Sequence, residues 1–244
     1  MKRILQNLMA FVLLFMALQQ AVGQEQGIIT YENRVNLHRR LSAEQENMKS
    51  MLPEYRTNKL QLAFNAQESL YTPVYEDEPE ATGGGGMAIR FQTSSAEIYT
   101  NRADARRTSL LDFMGKAYLI QDSLQILPWK FGSETKTVQG YACKRAYYQD
   151  EERKQLVTAW YTEDLRPFLG PESYNSLPGT VLEVDINAGE RVLKALKVEL
   201  RPLKKHELVE PKKGRLVSRE AYNAMVEEQR KQMERSGGRV MIRN

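Results

Sequence analysis

The chain reads as mainly β, with antiparallel strands forming an incompletely closed barrel, one apolar helix over the sheet and a second helix near the C-terminus. Three observations predict this. Apolar residues recur at period two through most of residues 24–200, the pattern of strands with one wet face. Turn-forming residues break those runs roughly every 8–15 residues, a spacing that suits a barrel or sandwich. Two segments, 43–52 and 219–235, follow a helical period instead.

Residues 1–23 are expected to be a cleaved export signal. Lys2 and Arg3 precede an apolar run from Leu8 to Leu18, and Ala21 and Gly23 fit a cleavage site before Gln24. The run is shorter than the ~20 residues that a membrane span needs, so no span is expected in the mature chain. In the first strand Ile29, Tyr31, Val35 and Leu37 share a face, with Asn33 the odd member, and Thr30, Glu32, Arg34, Asn36 and His38 take the other. Ser42 is placed to cap a helix over 43–52 with Gln45 at the capping-box position. Met48, Met51, Leu52 and Tyr55 then make one apolar stripe able to cover the open sheet, and Pro53 ends it.

Leu60, Leu62 and Phe64 begin the alternation again. Residues 76–87, with Glu76, Asp77, Glu78, Glu80 and the glycines 83–86, read as an acidic, glycine-rich loop. Further strands are expected at 88–93, 96–101, 116–121, 124–128, 138–148 and 156–162. Leu182, Val184 and Ile186 form another, and Leu196, Val198 and Leu200 one more, with Asn187-Ala188-Gly189-Glu190 as the hairpin turn between them. Ser218 caps the helix 219–235, whose Tyr222, Met225, Val226 and Gln229 make a narrow stripe before Gly237-Gly238 stops it.

Charge divides the chain. Residues 201–244 hold twelve Lys/Arg against six Asp/Glu, which leaves the body from 24 to 200 net acidic although the whole chain is +4. The basic extension is expected to meet an anionic surface, the body itself or a partner. Nucleic acid is disfavoured, because no aromatic residues interleave with the basic ones. The single cysteine, Cys143, excludes an intramolecular disulfide and reads as a small buried apolar residue.

Catalytic chemistry finds no constellation. The two histidines, His38 and His206, lie on a polar strand face and in the basic segment, and no G-x-S-x-G elbow frames Ser173. Two isolated histidines and one cysteine do not supply a zinc site, and no phosphate loop follows the glycine run. Neither metal nor cofactor is expected.

The richest stretch runs through Trp160-Tyr161-Thr162, Gly170-Pro171, Tyr174, Leu177-Pro178-Gly179 and Val181 to Val184. Ahead of it stand Gln121-Asp122-Ser123-Leu124, Trp129-Lys130 and Gly140-Tyr141-Ala142-Cys143. Over about residues 119–186, with a looser likeness at Ser69-Leu70-Tyr71, this resembles the GLPGLI family of exported Bacteroidota proteins, which has no assigned molecular function. The chain departs from the family in its eponymous motif, with Ser176 in place of the first glycine and Thr180-Val181 in place of Leu-Ile. Pro178-Gly179 suits a type II turn with Gly179 at positive φ. Trp160 and Tyr161 point to opposite faces of their strand, so one can enter the core while the other edges a mouth or surface.

The layout is also similar to the half-open barrels of LolA/LolB-type lipoprotein carriers. Together these resemblances imply a periplasmic or outer-membrane-associated, non-enzymatic protein that holds a lipid or other amphiphile. Its contacts would come from Trp129, Trp160, Tyr161, Tyr174, Met48, Met51 and Leu52, with Gly170, Pro171, Leu177, Pro178 and Gly179 as structural turns. A second expectation is an interaction module with a filled core that docks an outer-membrane partner such as a TonB-dependent transporter. The third, a hydrolase, lacks a nucleophile–base pair.

Overall fold

The computed structural model of the protein describes residues 26–41, 43–74 and 96–235. The export signal at 1–23, the cap at Ser42, the loop at 76–87, the strand expected at 88–93 and the glycines at 237–238 lie outside the described residues.

One sheet holds β1 (Gly27–Asn36), β2 (Tyr55–Phe64), β3 (Glu68–Pro73), β4 (Glu97–Asn101), β5 (Arg106–Phe113) and β6 (Lys116–Ser123). It continues with β7 (Lys130–Val138), β8 (Tyr141–Asp150), β9 (Gln155–Thr162), β10 (Thr180–Ile186), β11 (Arg191–Leu200) and β12 (Arg215–Val217), and a helix α1 (Arg219–Arg235) follows. The spatial order is β12-β6-β5-β4-β3-β2-β1-β11-β10-β9-β8-β7. Every neighbouring pair is antiparallel except β12 on β6. The sheet is therefore a single antiparallel surface that is not closed into a barrel.

Its connectivity forces curvature. The chain winds outward from β1 to β6, crosses to the far end as β7 and counts back to β11 beside β1. Only residues 124–129 join β6 to β7. A flat sheet at about 4.8 Å per strand would hold these two strands ~48 Å apart. A six-residue connection reaches at most ~25 Å, so the sheet bends to bring its ends together.

Two apolar clusters form the core, and the sheet face that carries Ile29, Tyr31, Leu193 and Val184 is here the inner face. Pairing sets Ile29 against Leu62 and Leu62 against Tyr71. With Tyr31, Leu60 and Phe64 these form the first cluster, closed by Leu165 and Leu169 from the long β9–β10 connection. The second joins Ala146, Tyr148, Val157, Ala159, Val184 and Leu193, and Leu177 of the same connection completes it.

That connection, not a helix, covers the sheet, which corrects the expected apolar helix. Ala43–Ser50 forms a 3-10 helix. At three residues per turn the stripe at 48, 51, 52 and 55 no longer lies on one side. Met51 is 80% exposed, and Tyr55 opens β2 at 44% exposure.

The strand expected at 124–128 is the β6–β7 connection, and β3, β5, β7 and β12 form where no strand was expected. Edge strand β7 has lost the alternation because both of its faces are wet, with Val138 its one buried residue. At β11 a register shift opposite Thr30 and Tyr31 lets Ala195 take the core position. Leu196, expected inside, is 39% exposed while Ala195 is fully buried. The turn at 187–189 forms as read, with Asn187, Ala188 and Gly189 at φ 53°, 50° and 95°.

The C-terminal extension is no free tail over its first part. Arg201 donates to both carboxylate oxygens of Glu207, at 2.9 and 2.7 Å, and the Lys204 amide donates to the same carboxylate at 2.7 Å. Arg106 and Thr108 on β5 hold Glu210, the threonine hydroxyl at 2.8 Å. β12 pairs with β6, and the Ser218 hydroxyl accepts from Ala221 N–H at 3.1 Å to cap α1. Tyr222 then stands edge-on to Phe113 and Tyr118, with ring centres at 6.0 and 5.9 Å.

These ties are acid-sensitive. The Arg201 hydrogen bonds pull the Glu207 carboxyl from 4.5 down to about 2, and Arg106 lowers Glu210 as well. A carboxyl held below its ordinary value stabilises the docked state above about pH 4.5 and loses that contribution as pH falls toward 2. Amide resonances of residues 201–217 are therefore expected to move toward random-coil positions across that window, ahead of those of β1 and β11. An NMR pH titration checks this.

Candidate functional site

The β9–β10 connection, residues 163–179, is the one long excursion inside the second half of the sheet. Antiparallel neighbours need only ~2–5 residues to turn, and a much longer ordered connection signals a role beyond turning. Its path is set by close packing. A Cβ on Gly170 would lie closer than 3.0 Å to the Tyr174 carbonyl, and one on Gly179 would collide with the Thr162 carbonyl.

Gly179 does not take positive φ, so the expected type II role is corrected to one of close approach. The left-handed positions fall on Phe168 and Glu172, both at φ 55°. Pro171 is buried and Leu177 fully so, while Pro178 faces solvent.

Arg166 anchors the start of the segment. It is 8% exposed, and its Nη1 donates to the carbonyls of Asn65 and Glu68, the latter at 2.9 Å. Its own carbonyl accepts from Thr180 Oγ1 at 2.6 Å. At the other end the Ser176 hydroxyl accepts from Leu127 N–H and Trp129 Nε1, both at 3.0 Å. Ser176 therefore ties the connection to the β6–β7 crossing.

The seven aromatic and apolar residues expected to contact a ligand do not converge. Trp129 and Tyr174 pack against the second cluster, Trp129 edge-on to Tyr148 with ring centres 4.8 Å apart. Burial, with Glu172 second, pushes the Tyr174 phenol above its ordinary pKa. Tyr161 is 4% exposed and meets Phe131 edge-on at 6.2 Å. Trp160 packs against the other cluster, with Lys136 Nζ 4.4 Å from its ring centre. Met48 lies in the 3-10 helix and Met51 and Leu52 in the turn before β2, where the Leu52 carbonyl is 2.9 Å from His38 Nε2. Cys143 is fully buried, its thiol pushed up to about 11 by burial, which makes it an inert packing residue.

A polar cluster that the periodicity did not single out lies at one end of the inner face. Arg191 grips the Glu172 carboxylate with both terminal nitrogens, Nη1 at 3.1 Å, and its Nε donates to Asn33 Oδ1 at 2.8 Å. Asn33 donates in turn to Asn58 at 2.8 Å. Burial works against the Arg191 charge, but Glu172 more than offsets it and the guanidinium stays above its ordinary pKa. The signal for this cluster was Asn33 itself, the polar residue on an otherwise apolar strand face. Nearby, Tyr31 donates its hydroxyl to the Val181 carbonyl at 2.6 Å.

On the opposite face, the C-terminal segment and the sheet enclose a groove of about 580 Å³ lined by Gln61, Leu70, Thr72, Glu97, Val209 and Glu210 among others.

Among solved structures the chain is similar to PNGF-II in two crystal forms, of P21 and C2 space group. The identities are 18% and 19% and the TM-score is 0.56 in both. Each match covers 84% of this chain but only 34% and 33% of the PNGF-II chain, so the fold seen here spans about a third of that longer protein. At such identity the likeness establishes the fold alone. No protein-family model matches the chain, and no curated protein does.

Proposed function

We propose that this chain is a non-enzymatic, exported envelope protein of the GLPGLI type that acts as a module docking an outer-membrane partner. The observation that carries this reading is that the inner face is filled by the chain itself. Leu165, Leu169 and Leu177 of the β9–β10 connection are 9%, 1% and 0% exposed against the sheet. An amphiphile carrier needs that volume for its ligand. The curved sheet short of closure supports the half-barrel of LolA/LolB-like layout as architecture, with the space such a barrel would offer already occupied.

The outer features fit docking. Among the described residues no helix is long and apolar enough to cross a membrane. α1 contacts the sheet through its first turns and leaves Asn223, Ala224, Glu228 and Arg230 exposed.

Native mass spectrometry of residues 24–244 purified from a periplasm, with organic extraction of the sample, tests the reading. A clean protein mass is the expected result. A stoichiometric lipid would overturn it in favour of the carrier and name the ligand class.

A further inference from the structure

Glu172 holds a left-handed backbone conformation that a glutamate keeps only when its surroundings over-determine it. What holds it is the forked grip of Arg191, whose side chain and that of Glu172 retain 22% and 25% exposure. Solvent therefore reaches the pair. Arg40 and Arg56 bring two more guanidiniums to this end of the sheet. Burial first, then Arg40 and Arg191, lower the Arg56 pKa, so the local field favours an anion. Arg40 Nε lies 3.5 Å from Glu190.

Tyr71 supplies a second, independent observation. It is 2% exposed, and its hydroxyl has no hydrogen-bond partner among the described residues. Its ring stands edge-on to Tyr31, two residues before Asn33 on the same face of β1, with ring centres 6.3 Å apart. Burial first, then the Glu172 charge, raise the Tyr71 pKa well above the ordinary value. A buried hydroxyl left unpaired is uncommon and costly. Glu172, tethered to its own segment, does not satisfy it. A carboxylate free to settle deeper could take the guanidinium fork and the hydroxyl together.

We propose that Arg191, Asn33 and the Tyr71 hydroxyl form a carboxylate-binding site, which Glu172 occupies as a built-in competitor until an external carboxylate displaces it. Two sources share that chemistry, an acidic segment of a protein partner and a fatty acid. Glu172 is the template for either, because its contacts with Arg191 are those a ligand carboxylate would make.

The test titrates residues 24–244 with acetyl-tetraglutamate amide and, separately, with sodium dodecanoate below its micelle concentration, following the Arg191 Nε–H resonance. A saturable shift with at least one probe is expected. Affinity should rise at least tenfold in Glu172→Gln and, followed through the Asn33 side-chain amide resonances, be lost in Arg191→Gln. Tyr71→Phe deletes only the unpaired hydroxyl and should fold as well as the parent while binding at least fivefold more weakly. A purely structural ion pair predicts no change there, so this variant decides the matter even if Glu172→Gln does not fold. A response to the peptide alone assigns the site to an acidic partner, one to dodecanoate alone assigns it to an amphiphile, and both support the site. No Arg191 response to either probe, or equal affinity in the parent and Tyr71→Phe, overturns it.

Discussion

Gly179→Ala is expected to lower the unfolding free energy by about 3 kcal/mol, the upper end of what overpacking costs when backbone must move inside a packed region. The added methyl meets the Thr162 carbonyl and carbon, which belong to the last residue of β9 and cannot rotate away as a side chain could. Gly170→Ala is expected to cost a similar amount, because its methyl meets the Tyr174 carbonyl and, at 3.0 Å, Val181 Cβ. The control is Gly140→Ala. Gly140 stands at φ 82° with open space around it, so only the backbone cost of about 1 kcal/mol applies. Urea unfolding of the three variants checks the order. If Gly179→Ala and Gly140→Ala lost equal stability, close packing of the connection would not be what holds it in place.

Arg166→Met is expected to cost about 2–4 kcal/mol, since it leaves buried carbonyls without a donor. The guanidinium reaches across a hundred residues of sequence to bond Asn65 and Glu68 at the β2–β3 turn. Methionine keeps much of the stem's packing, so the loss isolates the hydrogen bonds. Arg145→Met removes the exposed pair with Glu134 and is expected to change stability by less than about 1 kcal/mol. Hydrogen exchange should further show residues 163–169 opening first in Arg166→Met, with β1 and β11 protected at the parent level. Uniform loosening across the sheet would contradict the assignment of Arg166 as the local anchor.

The candidate site was partly legible. The Trp160 to Val184 stretch stood out because prolines, glycines and aromatics are concentrated there, and the structure makes it the cover of the inner face. Which residues hold that cover was hidden. Arg166, Glu172 and Arg191 look like ordinary surface charges in a chain rich in them, and their side-chain partners lie 19 to 158 residues away. Asn33 alone broke a local pattern, and it leads directly to Arg191.

By itself the sequence determined the antiparallel class, the 187–190 hairpin turn and helix α1 with its Ser218 cap. Each depends on neighbours within one or two turns of chain, where period and turn chemistry suffice. It also determined the burial of Cys143, through the alternation around it. Only the tertiary structure decided what covers the sheet, where edge strand β7 runs and why Gly179 is glycine. Those outcomes turn on non-local packing. The stripe at Met48 and Met51 competed with a seventeen-residue connection carrying Leu165, Leu169 and Leu177, and the connection won because its leucines reach both apolar clusters at once. No periodicity within either segment records that contest.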